Sequence, residues 1–371
     1  MRFSYSEDQD ALRRDARKFL EAHAPMVRVR AAAETGGFDA ELWRRAGTEL
    51  GWPALAIPER HGGAGLGAVE LAALFEETGR ALAPIPLLST VCLGATAIAE
   101  AGSEEQQRAY LPRIAAGRAI VTLALAEADG RWDGAAVRTR AEATADGFRL
   151  DGCKSMVLDG HLADLVVVAA RAGAALDLFV VSADAPGLSR RLLPGLDHTR
   201  RYAELTLAGV PAERLGAAGA GARTLARTLD RAAIALAAEQ VGAAERCLEL
   251  AVEYAKTRHQ FGRAIGSFQA VKHRLADVFV AVESARSAAY YAAFAASVDD
   301  PELPVLAALC KATCSEACFR AAADSIQVHG GIGFTSEHDA HLYFKRARAS
   351  QALFGAPAEH VERVAAHLEL S

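Results

Sequence analysis

Aromatic residues make up only 6% of the 371-residue chain, with three Trp and three Met. A chain so poor in large rings and so rich in alanine must fill its interior with small side chains. That favours closely packed helices, because Ala loses no side-chain entropy on entering a helix. There is no excess of positive charge: 41 Lys and Arg against 46 Asp and Glu leave a net charge of −5 and a pI near 6.1. Such a balance argues against a surface built for nucleic acid or anionic lipid. No apolar run approaches the roughly 18 residues that a spanning helix needs. The N-terminal MRFSYSEDQD lacks the apolar core of a secretory signal. Six cysteines in so long a chain make no disulfide framework, and a reducing, cytoplasmic setting is the expectation. Cys310, Cys314 and Cys318 recur every four residues and stack on one helix face. No His or acidic residue completes a metal-ligand spacing with them, so they are expected as core thiols and no metal is expected.

What is present falls into three parts. The first third reads as helices: Ser6 is placed to cap EDQDALRRDARKFLEAHA, and DAELWRRAGTELG ends on Gly51. Near Ile120 the character changes to short β-branched or alternating segments, separated by turns such as Asp146-Gly147, Asp151-Gly152 and Asp159-Gly160. After a linker rich in Gly and Ala, long helices return. The expected domains are 1–119 (helical), 120–216 (β) and 222–371 (helical).

Two stretches in the last third carry the chemistry. In YAKTRHQFGRAIGSFQAVKHRLAD, residues 254–277, a helix predicted over 223–258 runs into a turn that Gly262 and Gly266 permit. Ser267 is placed to cap the next helix, whose free N–H groups and positive dipole end suit an anion. Arg258 offers a planar five-donor fork for phosphate, Phe261 a flat apolar surface, and Gln269 both donor and acceptor. On these residues alone, a plain helix hairpin with an exposed Arg and a buried Phe has equal standing. In QVHGGIGFTSEHDAHLYFKRAR, residues 327–348, Gln327 ends a helix of small residues. Gly330 and Gly331 there admit a ligand where any Cβ would collide, although two glycines by themselves describe an ordinary helix end.

Taken together, these strings resemble the two flavin-contacting signatures of the acyl-CoA dehydrogenase family, and the resemblance extends over essentially the whole chain. It implies an α+β multidomain fold: an N-terminal helical domain, a middle β-barrel-like domain and a C-terminal four-helix bundle. It implies FAD as cofactor and a tetramer built as a dimer of dimers. In that arrangement Arg258, Phe261, Gln269, Gln327, Gly330 and Gly331 reach the FAD of a neighbouring subunit. It also implies α,β-dehydrogenation of a CoA thioester, with a glutamate taking the α-proton and the flavin the hydride, and an electron-transferring flavoprotein as acceptor.

The same register exposes departures. The position of the catalytic glutamate falls on Phe354, in QALFGA at 351–356. The alternative position used by a minority of the family falls on Ala232, in LDRAAIALAAEQVG at 229–242. Glu239 shares the face of Ala232 but lies two turns, roughly 10 Å, along the axis; it is the candidate for a relocated base. Asp230 and Glu245 point elsewhere. In the β domain, Ala126 and Trp132 stand where the family carries Thr and Ser, and Met156 and Leu158 where it carries Trp and Thr. Glu127 and Asp133 are expected to serve strand-end and turn structure. Residues that would serve a neighbour's FAD are kept, and those that would serve this chain's own flavin and proton transfer are replaced. This resembles the non-catalytic partner subunit of heterotetrameric (α2β2) actinobacterial-type enzymes, which act on bulky CoA thioesters such as steroid side chains. The expectation is a supporting subunit with a paralogous partner. Two alternatives stand: a self-sufficient homotetrameric flavoprotein with a relocated base or oxidase or monooxygenase chemistry, and a non-enzymatic CoA-ester-binding scaffold.

Overall fold

The structure is a computed structural model and describes residues 5–369. The chain opens with α1 (Glu7–His23), α2 (Met26–Glu34), α3 (Ala40–Thr48) and α4 (Ala68–Arg80). Next come a π-helical segment (Leu88–Ala95), α5 (Thr96–Ala101) and α6 (Glu104–Ala115). The strands are β1 (Val121–Ala124), β2 (Arg140–Thr144), β3 (Gly147–Leu158), β4 (Leu165–Ala172), β5 (Ala175–Ser182), β6 (Leu188–Leu192) and β7 (Tyr202–Arg214). The remainder is α7 (Gly221–Thr257), the two-residue strands β8 (His259–Gln260) and β9 (Arg263–Ala264), α8 (Gln269–Ser297), α9 (Leu303–His329), α10 (Ala340–Ala352) and α11 (Pro357–His367). Ser6 caps α1 as expected: it accepts from Gln9 N, and the Gln9 side chain returns the bond to Ser6 N.

Contacts group the chain into two compact units, each discontinuous in sequence. One comprises Ala32–Gly67 and Pro84–Ala232. Its centre is the sheet, in the order β1-β4-β2-β3-β7-β5, which closes on itself because β5 pairs with both β7 and β4. Closure leaves no open edge in that ring of strands. β3 carries two register shifts, and at the second Met156 takes a left-handed backbone (φ 52°). There an extra residue is accommodated and the strand bends.

The other unit comprises Met1–Ala31, Ala68–Ala83 and Ala233–Ser371. Its core follows from the composition: Ala243, Ala244, Ala321, Ala322 and Ala347 pack with Cys247, Cys318, Val278, Val282 and Tyr343. Small residues let helices approach until backbone meets backbone. A Cβ on Gly242 would lie 1.7 Å from the Glu76 carbonyl, and one on Gly79 would lie 1.9 Å from the Glu239 carbonyl. Thus α4 and α7 cross on two glycines, one from each helix. Arginines satisfy the acidic residues buried at this crossing: Arg13 and Arg286 pair with Glu76, and Arg17 with Glu77. Cys310, Cys314 and Cys318 are buried in α9, with Cys310 donating to the Ala307 carbonyl and Cys314 to that of Ala285.

Candidate functional site

At the end of α7 the chain makes a small hairpin. Arg258 N donates to the Tyr254 carbonyl and Ile265 N to the Arg258 carbonyl, both at 2.8 Å, which pins the hairpin at its root. β8 and β9 pair, and Phe261 (φ 53°) and Gly262 (φ 79°) form the tip. Phe261 is 93% exposed, an unusual state for a phenylalanine. A Cβ on Gly266 would lie 2.8 Å from the Ala255 carbonyl, so the turn packs directly on the last turns of α7. The expected cap by Ser267 does not form. Its hydroxyl closes the preceding 3-10 turn on the Ala264 carbonyl at 2.7 Å, and Phe268 occupies the N-cap of α8 without a side-chain bond. The expected buried Phe of a plain hairpin is likewise absent, since Phe261 faces outward.

α9 ends on His329, and Gly330 follows in the left-handed region (φ 63°). A local core ties this end to the hairpin: Val328 packs with Ala251 and Ala255, bordered by Tyr254, Ile265, Val271 and Leu275. The Tyr254 ring lies 4.5 Å from that of His329, and the His338 ring lies 4.3 Å from it. His329 donates from Nδ1 to the Ser325 carbonyl at 2.7 Å, which fixes its tautomer. Burial, followed by the neighbouring His329, pushes the His338 pKa down. The two stretches, about 70 residues apart in sequence, thus share one small core.

On that core, Arg258, Gln269 and Gln327 are exposed, and their side chains make no hydrogen bond or ion pair among the described residues. A Cβ on Gly331 would meet nothing of this chain within 4 Å. Phe334, in the second stretch, is 85% exposed. The arrangement offers a guanidinium, two carboxamides and bare backbone to something outside the chain. That donor set suits a phosphate-bearing ligand with an aromatic ring.

The two positions at which the resemblance places a base, 354 and 232, hold a phenylalanine and an alanine. Phe354 is 5% exposed and left-handed (φ 63°), and Gly355 after it is also at positive φ (105°). A left-handed Phe stores strain of order 1–3 kcal/mol, kept only where its surroundings over-determine it. Ala232 is fully buried in α7. Glu239 is not poised as a base: its carboxylate is buried and bonded to the Arg346 guanidinium at 2.7 Å. Glu245 is shared among Arg286, Arg80 and Arg17.

In the barrel unit, Ala126 and Leu158 are buried, and their carbonyls accept from Ser155 N and Thr122 Oγ1. Glu127 serves strand-end structure, as expected. It accepts from Arg138 N, Thr139 N, Thr139 Oγ1 and the buried Lys154 ammonium. These bonds outweigh its burial and hold the carboxyl down at about 2. Asp133 caps a 3-10 turn by accepting from Ala135 N.

Sequence reasoning missed Tyr254, His329 and His338, whose stacking joins the two stretches, and also the buried bases Lys311 and His360. Lys311 did leave a signal: it is the one cation in the apolar run LPVLAALCKATC of α9.

Helices, a closed strand barrel and a final run of long helices follow in this order along one chain, an α+β architecture. Models of the N-terminal, middle and C-terminal domains of acyl-CoA dehydrogenases match residues 6–118, 122–210 and 219–369. The chain belongs to the acyl-CoA dehydrogenase family. It is 39% identical over 359 residues to the acyl-CoA dehydrogenase IpdE2 of Mycobacterium tuberculosis, covering 96% of both chains. A chain of a variant of the Tcur3481-Tcur3483 steroid ACAD superposes with a TM-score of 0.89 at 35% identity, covering 98% of this chain and 99% of that one. A chain of the ChsE4-ChsE5 complex from Mycobacterium tuberculosis gives a TM-score of 0.91 at 30% identity, covering 100% of each. Among the described residues no helix is long and apolar enough to cross a membrane.

Proposed function

We propose that this chain is the supporting subunit of a two-chain, FAD-dependent acyl-CoA dehydrogenase, and that a paralogous partner supplies the catalytic base. One observation carries the reading. Neither position at which the family carries a base holds a proton acceptor, while Arg258, Gln269 and Gln327 stand exposed and unpartnered on one local core. A solvated enzyme surface has no physical need for a near-fully exposed Phe261.

The residues fit FAD. Arg258 would hold diphosphate with its fork, Phe261 would pack on the cofactor, and Gln269, Gln327, Gly330 and Gly331 would hold the adenosine end by hydrogen bonds and close backbone approach. When bound, FAD supplies the hydride acceptor of the reaction. This chain's residues bind and orient, and the α-proton of the thioester is left to the partner, since a phenyl ring at 354 accepts no proton. Two relatives of known structure are two-protein assemblies, and one is a steroid enzyme; a steroid-type CoA thioester is therefore the first substrate to assay.

The test is expression of the chain alone and with a paralogue that carries the missing glutamate. Alone it should be nearly colourless and inactive; co-purified, it should gain flavin absorbance and thioester oxidation together. A yellow, active homomer would overturn the reading in favour of a self-sufficient enzyme. Absence of flavin from every assembly would overturn it in favour of a scaffold.

A further inference from the structure

Lys311 lies within α9 with no exposed surface. Its ammonium donates to Ser315 Oγ at 2.9 Å and to the carbonyls of Ser350, Gln351 and Gly355 at 3.1, 3.3 and 3.4 Å. The Ser315 hydroxyl is bonded in turn to the Gln240 carboxamide on α7. No carboxylate among the described residues comes within ion-pair distance of Lys311. Burial pushes its pKa down to about 8.

His360 on α11 is also buried and donates from Nε2 to the Phe354 carbonyl at 3.0 Å. Burial, and then the Lys311 charge, pushes its pKa down to about 4, so the ring is neutral at physiological pH. Its Nδ1 has no hydrogen-bond partner among the described residues. Two basic side chains therefore hold four carbonyls where α10 ends, those of Ser350 and Gln351 in its last turn and those of Phe354 and Gly355 just beyond it.

Burying an ammonium with no direct ion pair, the Glu359 carboxylate acting on it only at longer range, is costly, and an apolar side chain of the same length would fill the space with less penalty. The ammonium is thus there for what it binds, and what it binds is the backbone on both sides of position 354: the last turn of α10 and Gly355. The strain in this segment sits at Phe354, a non-glycine residue at positive φ, while Gly355 adopts its positive φ freely. Strain of this kind persists where surrounding bonds over-determine it.

We propose that Lys311 and His360 are positioning residues for position 354, tying the last turn of α10 to Gly355 and so holding the left-handed backbone at Phe354, which gives the side chain at 354 one fixed stance. The proposal rests on the reading that 354 is the place where the family carries its base. In this chain the frame presents a phenyl ring.

The experiment is hydrogen exchange by mass spectrometry on the full chain, in the assembly in which it purifies, for K311M, H360A and H360Q. K311M should speed amide exchange in 350–360 at least tenfold and leave peptides of α8 within twofold of wild type. H360A should do the same to a smaller degree. H360Q, whose amide can still donate to the Phe354 carbonyl, should return exchange towards wild type, whereas a fourth variant, H360L, which fills the space and cannot donate, should stay as fast as H360A; rescue by H360L would reduce His360 to a space-filler and overturn its part of the proposal. Unchanged exchange in 350–360 would overturn the proposal, as would equal acceleration across the whole bundle. If K311M does not fold, the pair H360A and H360Q decides alone. Should the chain prove yellow and active by itself, the supporting-subunit reading falls, while these exchange rates still decide whether the frame positions the turn.

Discussion

An alanine at Gly331 would point its Cβ into open space in this chain. G331A should therefore leave the midpoint of chemical denaturation within experimental error, yet lower flavin retention of the assembled enzyme by tenfold or more, measured by absorbance after gel filtration. Equal flavin content in G331A and wild type would remove Gly331 from the cofactor site. Glu239 poses the opposite case. Its bond to Arg346 makes it structural, so E239Q should keep the kcat of the assembly once corrected for folded protein. R346M should cost about 3–5 kcal/mol, because the buried carboxylate loses its ion pair. Glu127 predicts a pH dependence. Its folded pKa, about 2, lies below the usual carboxylate value, so its contribution is present above about pH 4.5 and fades as pH falls towards 2. E127Q should flatten the acid limb of a stability–pH curve in that window, and an unchanged limb would show that the pairing with Lys154 contributes nothing there.

Elements here are placed by what small residues permit. The crossing of α4 and α7 depends on Gly79 and Gly242, each facing a backbone carbonyl of the other helix. G242A has no flexible side chain to push aside, so it should destabilise by about 3 kcal/mol or more, read by denaturant titration. A neutral result would mean that the helices separate at little cost. The long helices, the Ser6 cap and the run of short strands were legible in the sequence, because period, caps and turn residues are local signals. The Ser267 cap was misread for an equally local reason: one hydroxyl can close a turn or cap a helix, and here the tighter turn wins. The hairpin at Phe261 was only half legible. Its glycines announced a turn, but outward display of the ring depends on how Ile265 and Gly266 seat against α7.

At the scale of the whole molecule, Phe261 and Phe334 stand almost fully exposed. Exposed rings of this size belong in an interface or with a ligand. The double variant F261S/F334S should keep the fold but shift the assembled enzyme to smaller species in analytical ultracentrifugation, with loss of flavin. Retention of full assembly would assign the two rings elsewhere. The sequence by itself determined the family, the order of helices and strands, and the lack of a base at 354 and 232. Those are properties of residue identity and of spacing along the chain. Tertiary structure decided that Val328 joins two stretches about 70 residues apart, and that Glu239 is tied to Arg346. It also decided that Lys311 is aimed at the turn bearing Phe354. Each of these pairs elements distant in sequence through bonds whose partners no local pattern names. A lone lysine in an apolar helix acquires its role only when the helices that bring it four acceptors are packed.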